Sequence, residues 1–505
     1  MANPLYDSLF GKHAGKSTPF LYTADGGCLS HAAFLEVAGR FANALADAGL
    51  APGDRLAAQV AKSPEALALY AACVQAGVIF LPLNTAYTVD ELAYFIDNSG
   101  AAMVVCDGAA KDALAPVAAA HDARLETLNA DGSGTLADRA RPLPGDFDTV
   151  PREQDDLAAL LYTSGTTGRS KGAMLTQRNL LSNAEVLTDY WRFTADDVLL
   201  HALPIFHTHG LFVATNIMLL AGGAMIFLPR FDVDAMIARM PDATSLMGVP
   251  TFYTRLLDDP RFTRELAAHM RLFVSGSAPL LEETHRRFEA RTGHRILERY
   301  GMTETNMSTS NPYDGERRAG TVGFPLPGVE LKITDPETGA ERALGETGMI
   351  EVRGPNVFKG YWQMPEKTAE ELRADGFFIT GDLGRVDADG YVQIVGREKD
   401  LIISGGLNVY PKEVEQVLDA QPGVLESAVV GVPHDDLGEG VLALVVPAAG
   451  AAPEPDALAA ATAQQLARFK QPRKILLVDS LPRNTMGKVQ KSVLREDHAA
   501  ALRGD

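Results

Sequence analysis

The sequence predicts an α/β protein: a large N-terminal domain of mixed and parallel sheets with a small β unit, then a small α+β C-terminal domain. Three observations predict it. Helical and strand-like apolar segments alternate over the first 275 residues, the pattern of parallel sheets covered by helices. Residues 321–353 change character, with short strands between Gly and Pro turns. A chain of 505 residues exceeds what one hydrophobic core organises, so at least two domains follow.

Phe34, Val37, Phe41 and Leu45 recur at helical spacing and stop at Gly49. A second helix runs from Pro64 to Ala76, closed by Gly77 and followed by an apolar strand, Val78 to Leu83. Met103–Cys106, Leu157–Leu161, Leu246–Val249 and Leu272–Val274 read as further buried strands, and Ala173–Leu175 as an apolar turn. Gly390–Val395 is hairpin-like. After Gly396-Arg397-Glu398-Lys399-Asp400 a new α/β pattern starts, with a strand at 401–403, a turn at Gly405-Gly406 and a helix after Pro411. Ala448–Asp456, rich in Ala and Pro, reads as a surface loop.

A formal charge of −19 and a pI near 5.1, with no basic patch, argue against nucleic acid as a partner. No apolar run reaches the ~18 residues a membrane span needs. Cys28, Cys73 and Cys106 lack metal-ligand spacing and read as reduced thiols. Met1–Phe20 carries no secretory or typical transit signal, so a cytoplasmic location is expected.

Tyr162-Thr163-Ser164-Gly165-Thr166-Thr167-Gly168-Arg169-Ser170-Lys171-Gly172 is the most telling stretch. Glycines, hydroxyls and a cation after a buried strand suit a polyphosphate. The spacing is not Gly-x-x-x-x-Gly-Lys-[Ser/Thr]. The stretch is similar to the phosphate loop of the adenylate-forming superfamily, which includes acyl-CoA synthetases, luciferases and the adenylation domains of peptide synthetases. Ser275-Gly276-Ser277-Ala278-Pro279, Tyr300-Gly301-Met302-Thr303-Glu304, Tyr361-Trp362, Thr380-Gly381-Asp382 with Gly396-Arg397, and Pro482-Arg483-Asn484-Thr485-Met486-Gly487-Lys488 match it in the same order.

The resemblance implies domains at 1–396 and 397–505, the second rotating about Lys399. It implies that Thr163, Ser164, Gly165, Thr166, Thr167 and Gly168 hold ATP phosphates, with Lys171 as a positioning cation. Glu304 becomes the Mg²⁺ ligand, and a hard carboxylate suits that ion. Thr303, with Glu298, Tyr300, Gly301 and Met302, joins the nucleotide site. Gly276, Ala278 and Pro279 become the adenine wall. Asp382 accepts from the ribose hydroxyls, and Arg397 contacts the same nucleotide. Lys488 becomes the catalytic lysine of adenylation, open to a lysine acetyltransferase. Gly405 and Gly406 line a channel for coenzyme A.

His207-Thr208-His209-Gly210-Leu211, Glu298–Met307, Asn311–Gly315 and Pro482–Lys488 resemble the malonyl-CoA synthetases within that superfamily. Many relatives carry a small or neutral residue where this chain has Arg299. A guanidinium there can take a second carboxylate in two parallel hydrogen bonds, or pair with Glu298 or a more distant acid. Ser277 and His207 offer further polar contacts. The expected reaction joins malonate to coenzyme A at the expense of ATP, with leakage to methylmalonate. A ligase for another short acid and a non-catalytic nucleotide-binding relative remain the alternatives.

Overall fold

A computed structural model describes residues 2–163, 170–405, 407–434, 436–484 and 487–503. Among these residues the chain forms four sheets. The first has six strands, in the order 124–127, 103–106, 55–59, 79–82, 157–163, 171–176. All neighbours run parallel except the last pair, which is antiparallel. The expected apolar turn at Ala173–Leu175 is therefore the middle of a strand, Lys171–Thr176, in register with Leu157–Thr163. Three apolar residues carry no periodicity of their own, and the partner strand fixes their conformation.

The second sheet has nine strands and a parallel centre. Strands 297–302, 272–275, 245–248, 198–201, 224–227 and 19–23 run side by side, with antiparallel strands at both edges. Strands 272–275, 245–248, 198–201 and 224–227 are mostly apolar because both faces are covered, whereas 297–302 carries Glu298, Arg299 and Tyr300. Helix Pro64–Ala76 is buried from Ala66 onward. Ser63 caps it by accepting from the Ala66 N–H at 3.0 Å, and Gly77 ends it at φ 70°.

The change of character after residue 321 is a four-stranded antiparallel sheet over 330–397. A five-stranded sheet with strands from 402 to 477 follows, carrying its own apolar clusters around Val429 and Leu444. Helix Pro411–Asp419 begins at the expected proline. No helix among the described residues is long and apolar enough to cross a membrane.

Candidate active site

In an open parallel sheet, ligands bind beyond the carboxyl ends of the strands. Strand Leu297–Met302 ends there, and its alternation sends Arg299 one way and Glu298 and Tyr300 the other.

Arg299 is 3% exposed, and its Nε and Nη2 find no hydrogen-bond partner among the described residues. Burial brings the guanidinium down to about 9. It does not pair with Glu298: one Glu298 oxygen accepts from the Leu280 N–H at 3.1 Å, and burial raises that carboxyl to about 8. A Cβ on Gly276 would lie 2.4 Å from the Arg299 Cζ. The small residue expected to admit a flat base thus also makes room for the guanidinium.

Burial and then Arg299 lower His207 to about 4, and the same two causes lower His209. Both imidazoles are neutral. His209 Nδ1 lies 3.1 Å from the Ser277 Oγ, while its Nε2 is buried without a partner. Ser277 holds φ +73°, a strained conformation for a non-glycine residue at a ligand crevice. The sequence motif contained His209, but only the structure gives it a free ring nitrogen beside Arg299. Unpartnered guanidinium donors, with no carboxylate paired to them among the described residues, suit an anion.

On the other face, the Tyr300 hydroxyl donates to Asp382 at 2.6 Å, and Arg397 Nε pairs with the second Asp382 oxygen at 2.7 Å. Asp382 is 4% exposed and sits on strand Phe378–Val386, opposite Arg397 in the register. Each carboxylate oxygen keeps lone-pair capacity for a further donor. Lys488 is half-buried near this pair. Burial and then Arg397 lower its ammonium, while Asp382 and Asp400 oppose them. Lys399 is exposed, and its carbonyl accepts from Arg495 at 3.2 Å.

Glu304 is 5% exposed and accepts from the Tyr361 hydroxyl at 3.0 Å. Burial raises its carboxyl. Glu371, which the sequence reading missed, lies 2.6 Å from the same hydroxyl and 3.2 Å from Lys171 Nζ. Lys171 also stands 4.2 Å from the centre of the Tyr361 ring. Among the described residues no trio of His, Cys, Asp or Glu forms a metal cage. Mg²⁺ needs none, since one or two carboxylates and substrate phosphates hold it, and the buried Glu304 fits that role.

Thr163 closes its strand, with its hydroxyl 3.5 Å from the Lys171 carbonyl. Thr303 and Met302 are half-buried beside Glu304, and Gly301 meets the Asn306 carbonyl where a Cβ would be. Ala278 is half-buried and Pro279 exposed. Gly405 turns at φ 58°. Ser164, Gly165, Thr166, Thr167, Gly168 and Gly406 lie outside the described residues.

Residues 12–362 match the AMP-binding enzyme family, and residues 413–488 match its C-terminal domain. The malonate–CoA ligase of Arabidopsis thaliana is 37% identical over 453 residues, 83% of this chain and 74% of that one. A feruloyl-CoA synthase of Amycolatopsis is also 37% identical, over 93% of this chain and 94% of its own. ATP-bound MatB from Rhodopseudomonas palustris is 59% identical, with a TM-score of 0.98 over 99% of this chain and 100% of that one. Apo MatB from the same organism superposes at 0.87, over the same shares. The buried Arg299, the Asp382–Arg397 pair and Glu304 thus stand in a chain that is a member of the AMP-binding enzyme family.

Proposed function

We propose that this chain is an ATP-dependent malonate–CoA ligase, forming malonyl-CoA, AMP and diphosphate through malonyl-AMP. The observation that carries the acid is Arg299, buried with two unpartnered nitrogens. Curated relatives at 37% identity act on malonate and on ferulate, whereas MatB from Rhodopseudomonas palustris is 59% identical over 99% of this chain, which favours malonate. A buried guanidinium with no counter-ion among the described residues adds a physical reason for an acid with a second anionic group, because a monocarboxylate would leave it unpaired.

One carboxylate of malonate lies against Arg299, with His207, His209 and Ser277 as further hydrogen-bonding groups. An oxygen of the other attacks the α-phosphorus of ATP, forming a carboxylate oxygen–phosphorus bond as the bond from the α-phosphorus to the bridging oxygen breaks and diphosphate leaves with that oxygen. Asp382 and Tyr300 hold the ribose and base, and Arg397 orients Asp382. Gly276, Ala278 and Pro279 flank the base, with Glu298, Gly301, Met302 and Thr303 along the same strand and turn. Lys488 neutralises the charge that develops at the α-phosphate. Thr163, Lys171 and the 164–168 segment serve the outer phosphates, and Glu304 would hold Mg²⁺. That ion would supply charge neutralisation on the phosphates.

The domains divide at 396/397, and the second turns about Lys399 to bring Gly405 and Gly406 to the site. The coenzyme A thiol then loses its proton, attacks the malonyl carbonyl and releases AMP. The closer superposition on the ATP-bound relative supports reading the present arrangement as the adenylating one. The reduced, buried Cys73 and Cys106 support a cytoplasmic setting. An acetyltransferase acting on Lys488 would abolish the first half reaction by removing its charge.

A panel of malonate, methylmalonate, propionate and ferulate, read by diphosphate release and thioester formation, tests the assignment. Malonate should lead, methylmalonate should follow within about 10–200-fold, and propionate should fall about 10⁴-fold behind. Equal use of malonate and propionate would overturn it.

A further inference from the structure

Lys62 stands outside the machinery described so far. It lies in the loop between strand Arg55–Gln59 of the six-stranded sheet and the helix capped by Ser63, and reaches across to the nine-stranded sheet. Its Nζ is 2.8 Å from the His201 Nδ1, 2.8 Å from the His201 carbonyl, and 4.3 Å from the centre of the Phe227 ring. Among the described residues no carboxylate pairs with it. His201 and Phe227 are paired at the carboxyl ends of adjacent parallel strands, so this cation sits at the edge where the acid site opens.

An ammonium has three donors and no acceptor. Burial lowers the Lys62 amine well below its ordinary value, but charged or neutral it can donate, and the Gly210 carbonyl can only accept; the His201 Nδ1 facing Lys62 is therefore the accepting nitrogen, and the ring proton sits on Nε2. That nitrogen is 2.9 Å from the Gly210 carbonyl, which also accepts from the Thr215 hydroxyl at 2.9 Å. Gly210 is packed so closely that a Cβ would lie 2.0 Å from the Pro204 carbonyl. It belongs to a π-helical turn, His209–Thr215, a rare geometry that often marks functional sites. The same turn carries His209, whose N–H donates to His207 Nδ1 at 3.3 Å.

We infer that Lys62 is a positioning residue for the acid site: through His201 and the Gly210 carbonyl it fixes the turn that sets His207 and His209 beside Arg299. It touches neither malonate nor ATP, and acts by holding one tautomer of His201. The inference rests on the malonate reading above.

Two measurements test it. Histidine-selective ¹⁵N labelling reads the tautomer in the unaltered protein. His201 should carry its proton on Nε2, and protonation on Nδ1 would overturn the inference without any variant. Lys62→Met keeps the apolar stem and removes the donor. It should lower kcat/KM for malonate about ten- to a hundredfold, the scale of a small misplacement at a reacting group, and leave the KM for ATP within about twofold. Lys62→Arg retains a donor to Nδ1 and should recover most of the loss. Unchanged malonate kinetics in Lys62→Met, or equal losses for malonate and ATP, would overturn the inference. Wild-type preference for malonate over malonamic acid, its monocarboxylate amide, reports on the malonate reading separately. If that preference is absent, the substrate assignment fails; if it is present while Lys62→Met is silent, only the role of Lys62 falls.

Discussion

Replacing Arg299 by methionine should damage catalysis and stabilise the fold. The side chain is 3% exposed with two nitrogens unpartnered among the described residues, and burial brings it down to about 9, well below the usual guanidinium range. That depression corresponds to on the order of 5 kcal/mol against the charged, empty site. A cation with a lowered folded-state pKa takes this stability away in full below about 9, and stability returns as pH rises from there toward the usual guanidinium range. Methionine has similar length, so it fills the space beside Gly276 and removes the charge. The melting temperature of the ligand-free protein at pH 7 should therefore rise. Losing one partner of a buried charge pair costs about 2–5 kcal/mol, or roughly 30- to 5,000-fold in kcat/KM for malonate. Malonate-dependent diphosphate release measures this, and calorimetry should show ATP binding within about twofold of wild type. Unchanged malonate kinetics, or ATP affinity falling in step, would refute the assignment of Arg299 to the distal carboxylate.

Lys488→Ala should cut diphosphate release about 10²–10³-fold while preformed malonyl-AMP still yields malonyl-CoA at a substantial rate; equal loss in both half reactions counts against the division. Asp382→Asn leaves Arg397 without its counter-ion and should weaken ATP binding at least about tenfold by calorimetry. Burial raises Glu298 to about 8 from 4.5, so its cost is absent below 4.5, grows as pH rises and is complete above 8. Glu298→Gln should accordingly gain stability in urea at pH 9 relative to wild type and little at pH 5, and an equal gain at both would count against a buried, protonated Glu298.

Much of this was legible in the chain because the signals were local. Ser63, Pro64 and Gly77 bracket a helix at the residues where it starts and stops. Arg299 stood out as a cation entering a ligand crevice, and its burial without a partner is what that reading requires. The strand at Lys171–Thr176 was not legible, since its conformation comes from pairing with Leu157–Thr163. Nor was the meeting of Glu304, Tyr361, Glu371 and Lys171, which brings positions 200 apart within hydrogen-bonding distance. His209 lay within a quoted motif, yet nothing in its spacing tells which ring nitrogen is left bare.

The Arg299 guanidinium fills the space that a Cβ on Gly276 would need, so two positions 23 apart in sequence are sterically constrained together. While the arginine stays, position 276 has no room to grow. Once a lineage trades the arginine for something small, a vacant volume opens beside 276, and alanine or serine there becomes permissible. The two positions should therefore change together among descendants that switch from dianionic to singly charged acids. A laboratory search for new acid specificity that varies position 299 alone would sample mostly cavity-bearing proteins, whereas a library varying both gives each smaller residue at 299 a way to refill the pocket.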